Sequence, residues 1–108
     1  MMGGRLSCVV DARAVPVLPG AWEAADACLY TAAGQRNRNH TGPFVRFENV
    51  PFPMEEILFD PQTSGGLLLA AAPQKADALA QELRAAGLPA AIVGEIRDAQ
   101  PTEITVKY

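Results

Sequence analysis

Asp60-Pro61-Gln62-Thr63-Ser64-Gly65-Gly66 leads directly into the apolar run Leu67-Leu68-Leu69-Ala70-Ala71-Ala72. Asp60-Pro61 is a strong break, because proline fixes its own φ and pushes the preceding residue out of the helical region. Thr63 and Ser64 place two hydroxyls beside a glycine pair that can take φ > 0 and bring backbone close to another surface. The run Leu67–Ala72 reads as a strand buried on both faces, which would fix the loop at its mouth. A polar, glycine-bearing loop on a rigid strand is a common setting for function.

On the C-terminal side of this run, Pro73 opens the clearest helix in the chain. Ala76, Leu79, Ala80, Leu83 and Ala86 form its apolar stripe, with Lys75, Asp77, Gln81, Glu82 and Arg84 facing water. Gly87 offers a left-handed stop and Pro89 blocks continuation. Ala90 to Ile96 reads as a strand broken or bulged at Gly94. With Leu67–Ala72 it predicts a β-α-β unit, hence two parallel strands joined by a right-handed crossover. Glu103 to Lys107 is a final alternating strand with Ile104 and Val106 inward.

On the N-terminal side, Arg5 to Val10 alternates as a strand with Leu6, Cys8 and Val10 on one face. Asp11 to Pro19 is an irregular connector. Pro19 suits the first turn of a helix carrying Trp22, Ala25 and Leu29 on one side, with Trp22 as its packing anchor. Ala32 to Pro43 is polar, glycine-containing and rich in Arg36, Arg38 and His40, and reads as a long functional or mobile loop. Phe44 to Phe52 alternates but is cut by Pro51 and Pro53, so its strand is short or at an edge. Pro53 opens a short helix with Met54, Ile57 and Leu58 on one face and Glu55 and Glu56 in its first turn. The fold class is therefore α+β: one domain over residues 1–108, a two-layer α/β sandwich with a mixed sheet and helices on one face.

Composition narrows the function. Nine basic against twelve acidic residues give a net charge of −3 with no basic run, which argues against nucleic acid or a polybasic membrane site. No apolar stretch approaches the ~20 residues that span a bilayer, and no charged-then-apolar leader is visible. A cytoplasmic location follows as the expectation. Cys8 and Cys28 have neither disulfide-framework nor metal spacing and read as reduced, packed thiols. Glu55 and Glu56 point about 100° apart on a helix, so a joint metal-ligand role is not expected. The order helix, glycine loop, strand reverses the phosphate-cradling arrangement, in which a helix N-terminus follows the loop. With no nucleophile–base pair either, the residues make half a site, with no catalytic residue and no metal ligand of their own.

Asp60-Pro61-Gln62-Thr63-Ser64-Gly65-Gly66-Leu67-Leu68 resembles the signature of the C-terminal domain of the selenide, water dikinases (selenophosphate synthetases). These belong to a superfamily with aminoimidazole ribonucleotide synthetase, thiamine-monophosphate kinase and a hydrogenase maturation protein. Val10-Asp11 through Leu18-Pro19-Gly20, and Ile92-Val93-Gly94-Glu95-Ile96, agree in order and spacing, so the resemblance covers nearly the whole chain. It implies a C-terminal domain of the aminoimidazole ribonucleotide synthetase type, packed against an N-terminal ATP-binding domain. The reaction it implies converts selenide, ATP and water into selenophosphate, AMP and phosphate, with magnesium. By that resemblance the nucleotide and metal site, the reactive cysteine or selenocysteine and an essential lysine belong to the N-terminal half, and no cofactor is expected in this chain alone. Neither Cys8 nor Cys28 inherits the reactive role.

The resemblance also assigns residues. Thr63, Ser64, Gly65 and Gly66 would line the inter-domain cleft, with Asp60 ordering the turn. A family motif Gly-Gly-Thr-x-Arg-Asn falls on Ala32-Ala33-Gly34-Gln35-Arg36-Asn37, placing Arg36 and Asn37 toward phosphates or product. A shift by two puts Arg38-Asn39 on the Arg-Asn pair and matches no better. The face that would meet the N-terminal domain is expected to be apolar and able to pair two copies through Phe44, Phe47 or Phe52. Two other classes fit the same residues: a stand-alone ligand-binding or regulatory module, and the C-terminal half of another superfamily member.

Overall fold

The structure is a computed structural model that describes residues 6–108. Arg5, the expected start of the first strand, lies outside the described residues. Four strands form one sheet: β1 (Leu6–Asp11), β2 (Val45–Glu48), β3 (Gly94–Asp98) and β4 (Ile104–Lys107), in the order β2-β4-β1-β3. β4 runs parallel to both β2 and β1, and β3 runs antiparallel to β1. The architecture is α+β with a mixed sheet, and β2 is short and at an edge as its flanking prolines require.

Strand register shows where the core lies. Val45 and Phe47 pair with Ile104 and Val106, which pair in turn with Cys8 and Val10. These six side chains share one face, because alternate residues of a strand point the same way. Val106 is buried there with Ala12 and Met54, and Val10, Trp22, Phe47, Ile57, Leu58 and Ile104 pack around them. Trp22 comes from α1 (Ala21–Asp26) and Met54 from α3 (Phe52–Phe59), so these helices cover the core face. The opposite face carries Arg46, Glu48, Thr105 and Lys107, where Glu48 pairs with Arg46 at 3.3 Å and with Lys107 at 3.4 Å. Ser7 is buried on that side, and its Oγ accepts the Gln100 amide at 2.8 Å.

Three sequence expectations need correction. Ala32–Thr41 is a helix, α2, rather than a loop. Thr31 caps it: its backbone is extended and its Oγ1 accepts the Gly34 N–H at 2.9 Å, satisfying one of the orphan donors of the first turn. Leu67–Ala72 is not a strand; Leu67 is 89% and Leu68 83% exposed, and the run pairs with nothing among the described residues. Apolar composition states a demand for burial without naming the partner, and here the sheet ends at β3. The expected β-α-β unit is therefore absent from the sheet, and β3 is antiparallel to its neighbour. β3 also begins at Gly94, two residues before the expected end of that strand. The third correction is the helix at Trp22, which stops at Asp26 and leaves Leu29 exposed.

The helix after Pro73 follows its pattern closely. α4 (Pro73–Ala85) buries Ala80 and ends with Gly87 at φ +83. There Gly87 N–H donates to Arg84 O and Leu88 N–H to Leu83 O, the paired bonds of a left-handed glycine stop. Among the described residues no helix is long and apolar enough to cross a membrane.

Candidate functional site

The signature loop begins at the junction of α2 and α3. α3 ends at Asp60, whose backbone is extended (ψ 135°) because Pro61 follows. The Asp60 carboxylate accepts two hydrogen bonds, from Thr31 Oγ1 at 2.9 Å and from Gln62 Nε2 at 3.3 Å. Thr31 is also the cap of α2, so one hydroxyl joins the start of α2 to the start of the loop. Gly34 sits at the same junction, buried. A Cβ there would lie 3.4 Å from Thr31 Oγ1 and 3.7 Å from Phe59 O, an ordinary contact that an alanine could make.

Beyond Gln62 the loop is open. Thr63, Ser64, Gly65 and Gly66 are all exposed, and their side chains make no hydrogen bond among the described residues. Gly66 takes φ +75, a conformation that strains a residue with a Cβ, while Gly65 has no positive φ and open space at its Cβ position. Two hydroxyls and several backbone N–H groups thus face solvent from a loop tied down at its first residue.

The two candidate residues on α2 part company. Asn37 turns inward, and its Nδ2 donates to Phe59 O at 2.9 Å, one residue before Asp60. It satisfies a carbonyl in the last turn of α3, which has no partner within its own helix. Arg36 points outward and makes no side-chain hydrogen bond or ion pair among the described residues. The structure therefore brings Asn37 and Asp60 to one junction and leaves Arg36 on the surface. His40 is exposed as well.

Residues whose mutual contacts the sequence did not reveal, Gln35, Arg38, Glu55 and Glu56, hold this junction together. Arg38 lies on the inward side of α2, with Nη1 2.8 Å from Glu55 Oε2 and Nη2 2.6 Å from Glu56 Oε1. The second contact is an ion pair without hydrogen-bond alignment, and Arg38 Nε has no partner. Glu56 is almost wholly buried, its side chain 1% exposed, and its other oxygen accepts from Gln35 Nε2. Burial works against the Arg38 charge, but the contacts and charges of Glu55 and Glu56 outweigh it and hold the guanidinium above its ordinary pKa. The Arg38 guanidinium also lies 4.8 Å from the Phe59 ring centre and 5.4 Å from that of Phe52. Three of the α2 side chains, Gln35, Asn37 and Arg38, therefore grip α3. The readable signals were the Thr31 cap and the helix formers Ala32, Ala33, Gln35, Arg36 and Arg38, masked by Gly34, Asn37, Asn39 and Thr41.

The donor set does not suit a magnesium ion. Both carboxylates of α3 are engaged by Arg38, and among the described residues no group of three or more His, Cys, Asp and Glu could hold a metal. Phe47 does not belong to an open face: it packs edge-on against Phe59, ring centres 5.6 Å apart, inside the core layer. Phe44 and Phe52 remain exposed, Phe52 edge-on to Tyr30 at 6.3 Å.

Comparison with known proteins adds the context of this junction. The family model of the AIR synthase related protein, C-terminal domain, matches residues 1–107. The selenide, water dikinase of Agathobacter rectalis is 55% identical over 95 residues, 87% of this chain and 28% of its own length. That of Desulfitobacterium hafniense strain Y51 is 39% identical over 107 residues, 99% of this chain and 32% of its own. That of Rhizobium meliloti is 41% identical over 92 residues, 83% of this chain and 26% of its own. The chain spans about a third or less of the length of these curated relatives.

Proposed function

Because the chain belongs to the family of AIR synthase related proteins, C-terminal domain, we propose that it is the C-terminal part of a selenide, water dikinase. The whole enzyme makes selenophosphate from selenide, ATP and water and releases AMP and phosphate. The observation that carries this reading is the identity of 55% over 95 residues to a protein of that name. ATP and magnesium are held in the N-terminal part of such an enzyme, and the chemistry they supply is phosphoryl transfer.

This chain's own contribution is a wall of the cleft between the two parts. Thr63 and Ser64 offer hydroxyls, and the Gly65-Gly66 backbone lets that wall approach the reacting groups closely. Asp60 orders the entry of the loop by its bonds to Thr31 and Gln62. Asn37 holds the end of α3 beneath it, and Arg36, unpaired in the described residues, supplies a forked donor toward phosphate or product. The exposed Leu67–Leu69, Phe44 and Phe52 are the surface that the N-terminal domain covers, or that a second copy covers when the chain is alone. The location is cytoplasmic.

A chimaera tests the reading. The 108-residue chain joined to the N-terminal part of the Agathobacter rectalis enzyme is expected to form AMP from ATP only when selenide is supplied. A soluble, folded chimaera without selenide-dependent AMP formation would contradict the proposal.

A further inference from the structure

We infer that Arg38 is a positioning residue for the signature loop: its grip on α3 holds α2 in one register and thereby fixes where Asp60–Gly66 stands in the cleft wall. Its effect on turnover rests on the dikinase reading proposed above.

The side of α2 that meets α3 is polar. The only apolar side chains of α2 are those of Ala32 and Ala33, so no large apolar group sets the register of the two helices. Arg38 takes that place. Its guanidinium forks onto Glu55 and Glu56 and lies against the rings of Phe52 and Phe59. Those four residues stand at i, i+3, i+4 and i+7, one stripe along the whole length of α3. Asp60 is the next residue on that stripe. A slip of α2 by one turn, ~5.4 Å, would take Arg38 off the fork. The Glu56 carboxylate, 1% exposed, would then be buried without its cation. Charge therefore excludes the slipped arrangements, whereas apolar packing discriminates between neighbouring registers far less.

The cluster is built for geometry more than for stability. Arg38 Nε and Nη2 and Glu56 Oε1 have no aligned hydrogen-bond partner, and a buried pair of this kind adds little over apolar side chains of similar volume. Its effect reaches the loop through two other bonds. In the register that Arg38 sets, Thr31 Oγ1 reaches Asp60 at 2.9 Å and Asn37 Nδ2 reaches Phe59 O at 2.9 Å. Phe59 and Asp60 are the last two residues before Pro61, and Thr63 to Gly66 beyond them are exposed, so the loop is placed from this end. Arg36 rides on the outer side of the same helix. One register thus keeps one spacing between its guanidinium and the hydroxyls of Thr63 and Ser64.

The test replaces the pair rather than breaking it. Arg38→Met with Glu56→Leu removes both charges at similar volume and should melt within about 4 °C of the parent chain. A Cβ at Gly34 would lie 3.7 Å from Asp60 Cα, so the Gly34 and Asp60 α-protons are close enough for a nuclear Overhauser contact. That contact, and one from the Asn37 side-chain amide to Phe59, are expected in the 108-residue parent and lost in the folded double variant. Joined to the N-terminal part of the Agathobacter rectalis enzyme, the double variant is expected to lose about tenfold or more in kcat for selenide-dependent AMP formation, with KM for ATP unchanged. A folded double variant that keeps both contacts would overturn the proposal. So would parental kcat in an active chimaera, or a loss of kcat matched by a loss of melting temperature. Arg38→Lys keeps the charge without the fork or the stacking plane and replaces the double variant if that unfolds; full retention of both contacts in it would overturn the proposal equally. An inactive parental chimaera would instead contradict the dikinase reading, and the contacts in the 108-residue chain then decide the register by themselves.

Discussion

Thr31 Oγ1 donates to Asp60 Oδ1 at 2.9 Å and accepts the Gly34 N–H at the same distance. One hydroxyl thus caps helix α2 and anchors the first residue of the Asp60–Gly66 loop across 29 positions of sequence. Thr31→Ala should remove both bonds and cost about 1–2 kcal/mol of stability. Thr31→Ser, which keeps the hydroxyl, should lose little. Denaturant unfolding of the two variants checks this, and equal losses would show that the methyl rather than the bonds matters.

The ion cluster between α2 and α3 is asymmetric. Glu56 is buried against Arg38 while Glu55 stays partly exposed. Glu56→Ala strips a desolvated cation of its buried partner and should cost about 2–3 kcal/mol. Glu55→Ala should cost less than about 1 kcal/mol, because its pair is screened by solvent. The comparison of the two melting temperatures decides between a graded network and a single dominant pair.

Two glycines should respond to very different degrees. A Cβ at Gly94 would lie 2.1 Å from Val9 O, so Gly94→Ala must push β3 from β1 and cost about 3 kcal/mol or more. Gly65 has open space around it and no positive φ, so Gly65→Ala should change stability by less than about 0.5 kcal/mol. Substantial destabilisation by Gly65→Ala would mean that the loop packs on a surface in solution.

The thiols should differ in reactivity with pH. Burial pushes Cys8 above its ordinary value of 9.0, whereas Cys28 is exposed at φ +60. A disulfide reagent near pH 8 is expected to modify Cys28 first and Cys8 slowly. The raised Cys8 pKa contributes stability that is present below the unfolded thiol pKa and lost as pH rises through the folded value. A Cys8→Ala variant should accordingly lose less stability than the parent between pH 8 and 10, taken as roughly the thiol titration range.

How far the sequence was legible depends on how local each signal is. α4 was readable because its stripe, its proline start and its Gly87 stop are all within one segment. So were β2, bounded by prolines, and the inward pair Ile104 and Val106 of β4. α2 was not, because Gln35, Asn37 and Arg38 owe their helical setting to Glu56, Phe59 and Glu55, residues distant in sequence. Its local signals, the Thr31 cap and the helix formers Ala32, Ala33, Gln35, Arg36 and Arg38, are diluted by Gly34, Asn37 and Asn39. Leu67–Ala72 failed for the opposite reason: a strong local pattern with no partner strand beside it. Of the candidate site, the break at Asp60-Pro61 and the exposed glycine loop could be read directly, whereas the cap that anchors Asp60 could not.

We propose that Thr63 and Ser64 face reacting groups across a cleft rather than shape a corner. The most direct measurement is selenide-dependent AMP formation by the chimaera carrying Thr63→Ala or Ser64→Ala, with melting temperatures recorded alongside. At least one variant should melt like the parent and turn over at least about tenfold more slowly, a loss of ~1.4 kcal/mol of transition-state stabilisation. Parental turnover in both variants would contradict this role for the two hydroxyls.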